Sequence, residues 1–296
     1  MSKLPFTLSL TAVAILAACA TEHKVAPAPA PVVVAPAPTA GAVVVPQPSA
    51  PAAAVVVPQA RNALTFAMYE RLAEICNGAN TDRSIKAILI TGAGDKAFAA
   101  GTDISQFRTF DKEQDALDYE ARIDRVMTAI ERCRVPTVAA IHGACTGGGA
   151  SIAASCDLRI ASRTMKYGFP VARTLGNCLS MASYSRLVYL VGPALVKDIV
   201  FRARLIEADE ALAKGLINEL SDDQALLMQR AEEITRLVAS HAPLTLQATK
   251  EALLRLRPSI AHGEGNDLVL MCYMSQDFRE GMDAFLNKRK PVWKGK

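Results

Sequence analysis

The apolar positions of this chain follow two periods. Between residues 62 and 78, Leu64, Met68, Leu72 and Ile75 recur at helical spacing and predict an amphipathic helix. Residues 114–134 repeat that pattern with Leu117, Ile123, Val126 and Ile130 inward, and Pro136 ends it. Continuous short apolar runs at 85–91, 138–141 and 158–161 predict buried strands instead. Further helices are expected at 179–190, 194–201, 208–214, 222–241, 245–256 and 267–287. Strands alternating with helices predict an α/β architecture. The roughly 240 residues after residue 57 suffice for one domain with a sizeable core.

The first 57 residues depart from this pattern. Residues 1–20 combine one early cation (Lys3), an apolar run through Ala18 and the tetrapeptide LAAC at 16–19. That reads as a lipoprotein-like signal segment. LAAC resembles a bacterial lipobox, which makes Cys19 a possible lipid anchor; the run is short for a membrane span. Residues 21–57 are dominated by Pro, Ala and Val, with AVVVPQ at 42–47 and again at 54–59. Proline density of this kind predicts a disordered linker, in which 43–45 and 55–57 offer at most a makeshift hairpin.

Composition changes the picture little. The net charge of +4 is too small to argue for nucleic acid, and no basic patch is interleaved with aromatics. The seven cysteines lack metal-ligand spacing, and free thiols suit a cytoplasmic domain. The lipobox points to a membrane-anchored envelope lipoprotein, so leader and domain disagree about compartment.

The chemistry concentrates in HGACTGGGASIAASCD at 142–157, where glycines lie between an apolar run and a helix-favouring one. Unpaired N–H groups at such a helix start favour negative charge. No Lys and Ser/Thr follow Gly149, which excludes a P-loop, and the spacing from Gly143 does not fit a dinucleotide fingerprint. Plain helix–strand packing is the simpler reading of one glycine cluster. A second glycine turn after a strand, FAAGTDI at 98–104, favours a site in which each turn aims one N–H at a shared oxygen.

These two stretches resemble the F-[SA]-A-G-[AG]-D-[LI] and N-G-x-A-x-G-G-G-x-E-L-A-x-x-C-D motifs of the enoyl-CoA hydratase/isomerase (crotonase) superfamily. PQARNAL (58–64), AILITGAGDKAF (87–98), residues 186–220, APLTLQATKEAL (242–253) and residues 275–296 extend the resemblance over 58–296. The resemblance implies a crotonase-like spiral of ββα repeats over 58–230 and a C-terminal helical trimerisation region over 231–296. It also implies a homotrimer or a dimer of trimers. The substrate it implies is an acyl-CoA, with coenzyme A entering as part of the substrate rather than as a cofactor.

By the same resemblance, the backbone N–H groups of Thr102 and Gly148 form an oxyanion hole for a thioester enolate. Arg61, Ala63, Ala100, Asp103 and Ile104 lie along the adenine end of CoA. Gly147, Pro170, Val171 and Arg173 border the acyl substrate, and Lys288 approaches the CoA phosphates. The two glutamates of a typical hydratase are absent, with Ser151 and Val171 at their positions. Asp103, Glu120, Asp124 and Ser151 are candidate replacements, although Asp103 is usually structural in the family, charges such as Glu120 and Asp124 on an amphipathic helix more often face solvent, and a serine such as Ser151 is more often inert. Arg173, near Asn177, suits a carboxylate-bearing acyl group or a surface salt bridge. Cys145 and Cys178 have only His142 as a possible partner for nucleophilic chemistry. The reading is an enoyl-CoA hydratase/isomerase with an atypical proton donor. A catalytically inactive acyl-CoA-binding scaffold, and acyl-CoA hydrolysis or decarboxylation, stand as alternatives.

Overall fold

The computed structural model of the chain describes residues 32–34, 62–261 and 263–296. The signal segment, Cys19, the valine triplets at 43–45 and 55–57, and Arg61 lie outside the described residues.

The apolar runs become buried parallel strands: β2 (Ile88–Thr91), β4 (Thr137–Ile141) and β6 (Leu158–Ser162). With β1 (Val32–Val34) and β9 (Glu219–Ser221) they form a five-stranded sheet of order β1-β2-β4-β6-β9. Strand β1 pairs Val32 with Ile88 and Val34 with Ile90. It lies inside 21–57, where the sequence predicts only a disordered linker. Valine fits a pleated strand well and an open sheet edge offers unpaired backbone groups, which corrects that expectation for these three residues.

Four shorter strands, β3 (Ala97–Ala99), β5 (Ala144–Thr146), β7 (Lys166–Gly168) and β8 (Ile206–Glu207), form a second sheet in that order. From β2 to β7 successive strands therefore alternate between the sheets, and each pair feeds a helix. After β2 and β3 comes α2 (Glu113–Glu131), after β4 and β5 comes α3 (Gly148–Ser155), and after β6 and β7 come α4 (Val171–Thr174) and α5 (Met181–Phe201). This is the ββα spiral. Gly192, at φ 77, and Pro193 break α5 close to the expected boundary between 179–190 and 194–201.

The first helix, α1, spans Phe66–Thr81, later than its pattern suggests. Thr65 caps it by accepting from Met68 N, so the chain before it is free for other work. Asn62 sits at φ 55 and donates its amide to the Ala97 carbonyl at 2.7 Å. Leu64 is buried in a bridge to Thr102 rather than on the helix. Met68, Leu72 and Ile75 pack with Ile123, Val126 and Ile130 of α2 in the main core.

The chain continues through α6 (Ala208–Ala213), α7 (Gln224–Ser240) and α8 (Pro243–Leu256). The helix expected at 267–287 is two helices, α9 (Asn266–Tyr273) and α10 (Gln276–Leu286). Ser275 divides them, since its hydroxyl caps α10 by accepting from Phe278 N at 2.9 Å. This turn folds Tyr273 and Phe278 back onto Phe107 in a separate small core. Helix α8 has no buried residue and exposes Leu244, Leu253 and Leu256. Among the described residues no helix is long and apolar enough to cross a membrane.

Candidate active site

Strand β3 runs into a turn at Gly101 (φ 103) and β5 into a turn at Gly147 (φ 53), conformations that favour glycine. The two turns pack backbone on backbone: a Cβ on Gly147 would stand 3.5 Å from Gly101 Cα. Leu64 clamps the first turn, donating to Gly101 O at 2.8 Å and accepting from Asp103 N at 2.9 Å. The Thr102 amide between them is left over. In the second turn Gly147 N donates to Gly168 O, and Gly148, the first residue of α3, has no intrahelical acceptor. Among the described residues neither the Thr102 N–H nor the Gly148 N–H has an acceptor. Both residues line one cavity of about 190 Å³. Two spare amide donors on one wall, one of them at a helix N-terminus, suit an oxygen that gains negative charge.

The Thr102 hydroxyl hydrogen-bonds the phenols of Tyr69 at 2.9 Å and Tyr119 at 2.8 Å. Burial pushes both phenols up, so they stay neutral. Threonine at this position therefore serves two buried hydroxyls while its amide faces the cavity. Gly148 is confined by the same group, because a Cβ there would lie 1.8 Å from the Tyr69 oxygen.

Glu120 on α2 lines the same cavity, and it is the one carboxyl among the lining residues. Its residue is 8% exposed, which corrects the expectation of a solvent-facing charge. Burial pushes its carboxyl up to about 8; a hydrogen bond from Tyr273 pulls it down and the nearby Asp124 charge pushes it up. Tyr273 O–H donates to Glu120 Oε1 at 2.7 Å, and Asn177 Nδ2 donates to the Tyr273 oxygen at 3.1 Å. Asp124 belongs elsewhere, pairing with Arg186 at 3.0 Å and accepting from the Ser180 hydroxyl at 2.8 Å.

Most of the expected residues converge on this cavity. Ala100, Ile104, Gly147, Ser151, Pro170 and Val171 line it together with Thr102, Glu120 and Gly148. Ser151 and Val171 thus occupy the wall without supplying a carboxylate. Four of the expected residues lie off the cavity wall. Asp103 caps the 3-10 turn Ile104–Thr109 by accepting from Ser105 N at 3.0 Å and does not line the cavity. Arg173 is exposed on α4 and also does not line it. Ala63 is half-buried beside the Leu64 clamp. Lys288 is exposed just beyond α10, the helix that brings Phe285 to the cavity, and the neighbouring Arg289 is tied to Glu280 at 2.6 Å.

No nucleophile pair forms. Burial pushes the Cys145 thiol well up and the His142 imidazole down, and no hydrogen bond joins them among the described residues. Sequence reasoning missed Tyr69, Tyr119 and Tyr273. Nothing in their spacing marks them, because their shared role depends on three helices meeting.

Comparison with known proteins gives a consistent result. A family model described as enoyl-CoA hydratase/isomerase matches residues 54–296. The chain is 33% identical over 246 residues to a short-chain-enoyl-CoA hydratase of Clostridium acetobutylicum, covering 79% of this chain and 89% of that protein. A solved enoyl-CoA hydratase/carnithine racemase from Magnetospirillum magneticum is 32% identical with a TM-score of 0.65, covering 82% of this chain and 91% of that one. A methylmalonyl-CoA decarboxylase solved with 2-nitronate-propionyl-CoA is 28% identical with a TM-score of 0.71, covering 79% and 91% respectively.

Proposed function

Because the chain belongs to the enoyl-CoA hydratase/isomerase family, we propose that it shifts the double bond of a short acyl-CoA thioester, with Glu120 as its proton carrier. A 3-enoyl thioester loses its Cα proton to the Glu120 carboxylate. Electrons move onto the thioester oxygen, where the N–H groups of Thr102 and Gly148 hold the enolate. The protonated carboxyl then returns the proton at Cγ, leaving the 2-enoyl thioester. One group that takes and returns a proton balances this reaction, and the observation carrying the proposal is that Glu120 is the one carboxyl lining the cavity. A cavity of about 190 Å³ favours a short acyl chain.

Hydration of a 2-enoyl thioester is the second reading, favoured by the name of the Clostridium relative. It asks more of Glu120, which must serve both the attacking water and Cα. Decarboxylation or hydrolysis steered by Arg173 finds no support in the placement of Arg173 outside the cavity wall. An inactive binding scaffold leaves a buried carboxyl in the cavity without a purpose. In this reading the adenine end of CoA runs along Ala63, Ala100 and Ile104, and Lys288 meets its phosphates. The uncovered leucines of α8 support a homotrimer, which light scattering measures.

The test uses the full chain with a 3-enoyl-CoA and, separately, crotonyl-CoA. Appearance of the conjugated thioester absorbance from the first substrate is the expected result. Loss of that absorbance from the second, with none gained from the first, would replace isomerisation by hydration.

A further inference from the structure

We propose that Tyr273 and Asn177 are positioning residues that fix which oxygen of the Glu120 carboxyl carries the mobile proton. The inference rests on the reading of Glu120 as proton carrier.

The directions of the hydrogen bonds carry it. Asn177 Nδ2 donates to the Cys178 carbonyl at 3.3 Å, and a carbonyl can only accept, which favours this amide orientation, in which Oδ1 is buried without a partner among the described residues. The same nitrogen donates to the Tyr273 oxygen at 3.1 Å. With that side of the hydroxyl engaged, the single phenolic proton has Glu120 Oε1, at 2.7 Å, as its acceptor. Oε1 is therefore occupied as an acceptor, and the proton that Glu120 takes up and gives back belongs to Oε2.

Tyr273 is 4% exposed and absent from the cavity wall, so it reaches an acyl group only through Glu120. Its ring is held independently of its hydroxyl, against Phe278 at 4.7 Å and Tyr119 at 6.1 Å between centroids. Removing the hydroxyl thus leaves the packing in place. The other groups facing Glu120 are Tyr69 on α1, Tyr119 and Asp124 on α2, Cys178 before α5 with the Ser180 N–H, and Tyr184 on α5. Burial pushes the four phenols and the Cys178 thiol up, keeping them uncharged; hydrogen bonding to Cys272 is the larger cause for Cys178. Asp124 is paired with Arg186. The Tyr273 hydroxyl is then the side-chain donor that favours the charged form of Glu120.

The experiment follows the Glu120 carboxyl directly, by carbon NMR of the full chain labelled at glutamate carboxyls, with Glu120→Gln assigning the signal. Tyr273→Phe is expected to raise the Glu120 titration midpoint by about one unit, leaving roughly tenfold less carboxylate at neutral pH. The rising, low-pH limb of kcat/KM moves with it. Asn177→Ala is expected to shift both in the same direction by less. An unmoved midpoint in Tyr273→Phe overturns the proposal, even where the rate falls. A midpoint that moves in a protein inactive on every enoyl-CoA supports the positioning role and removes the proposed reaction.

Discussion

The two walls of the cavity are built by different means. One is main chain: two glycine turns, each following a short strand of the second sheet, leave the amides of Thr102 and Gly148 without acceptors. The other is side chain: Glu120 from α2 and Asn177 from the segment before α5 line it, and Tyr273 from α9 stands behind Glu120, 153 residues away in sequence. A backbone donor depends on local conformation and survives side-chain replacement, as threonine at 102 illustrates. A side-chain acid depends on what surrounds it, and here burial pushes the carboxyl of an ordinary glutamate up to about 8.

The proton wall is where the largest effect is expected. Glu120→Gln keeps the shape and an acceptor for Tyr273 but removes proton transfer, which typically contributes about 100- to 10,000-fold. The same change acts on stability with the opposite sign. A carboxyl raised from its ordinary 4.5 to about 8 holds a proton in the folded chain that the unfolded chain has released. Its contribution is fully present below pH 4.5 and is lost as pH rises to about 8. Thermal denaturation above pH 8 is thus expected to find the glutamine variant more stable than the parent. A less stable variant there would contradict the burial argument.

A somewhat smaller kinetic loss is expected on the amide wall. Gly148→Pro deletes the N–H, and losing one oxyanion donor typically costs about 100- to 1,000-fold in kcat. The added Cβ also meets the buried Tyr69 hydroxyl, so denaturant unfolding is measured beside steady-state kinetics, which should show the loss in kcat. A fall confined to KM would mean that this amide binds substrate without stabilising charge.

The least kinetic effect is expected where the walls share a residue. Thr102→Ala retains the amide but leaves two buried phenols without their common partner, costing about 1–3 kcal/mol of stability. Denaturant unfolding should register that cost while kcat/KM stays within a few-fold. A large rate loss would bring the Thr102 hydroxyl or Tyr119, which also lines the cavity, into the chemistry.

The contrast between the walls also explains what the sequence discloses. Gly101 and Gly147 announce their turns because few other residues accept those conformations, and the buried runs at 88–91 and 137–141 announce strands by composition. The alternation of those strands between two sheets comes from the family resemblance, not from periodicity. Glu120 reads as solvent-facing because the helical pattern cannot register that α9 folds over that part of α2. That fold-back depends on Ser275 starting a new helix inside what reads as one continuous pattern. Asp103, beside the free Thr102 amide, caps a 3-10 turn, in keeping with the structural role that the family resemblance favours for it.

The central claim is that one buried carboxyl serves as base in the cavity that two main-chain donors line. The most direct measurement is kcat/KM for 3-enoyl-CoA isomerisation by the full chain across neutral to alkaline pH. A base with its midpoint at about 8 predicts a rate that rises with pH, levels off above that value and is lost in Glu120→Gln. A rate that falls through the same range, or a Glu120→Gln variant as fast as the parent, would contradict it.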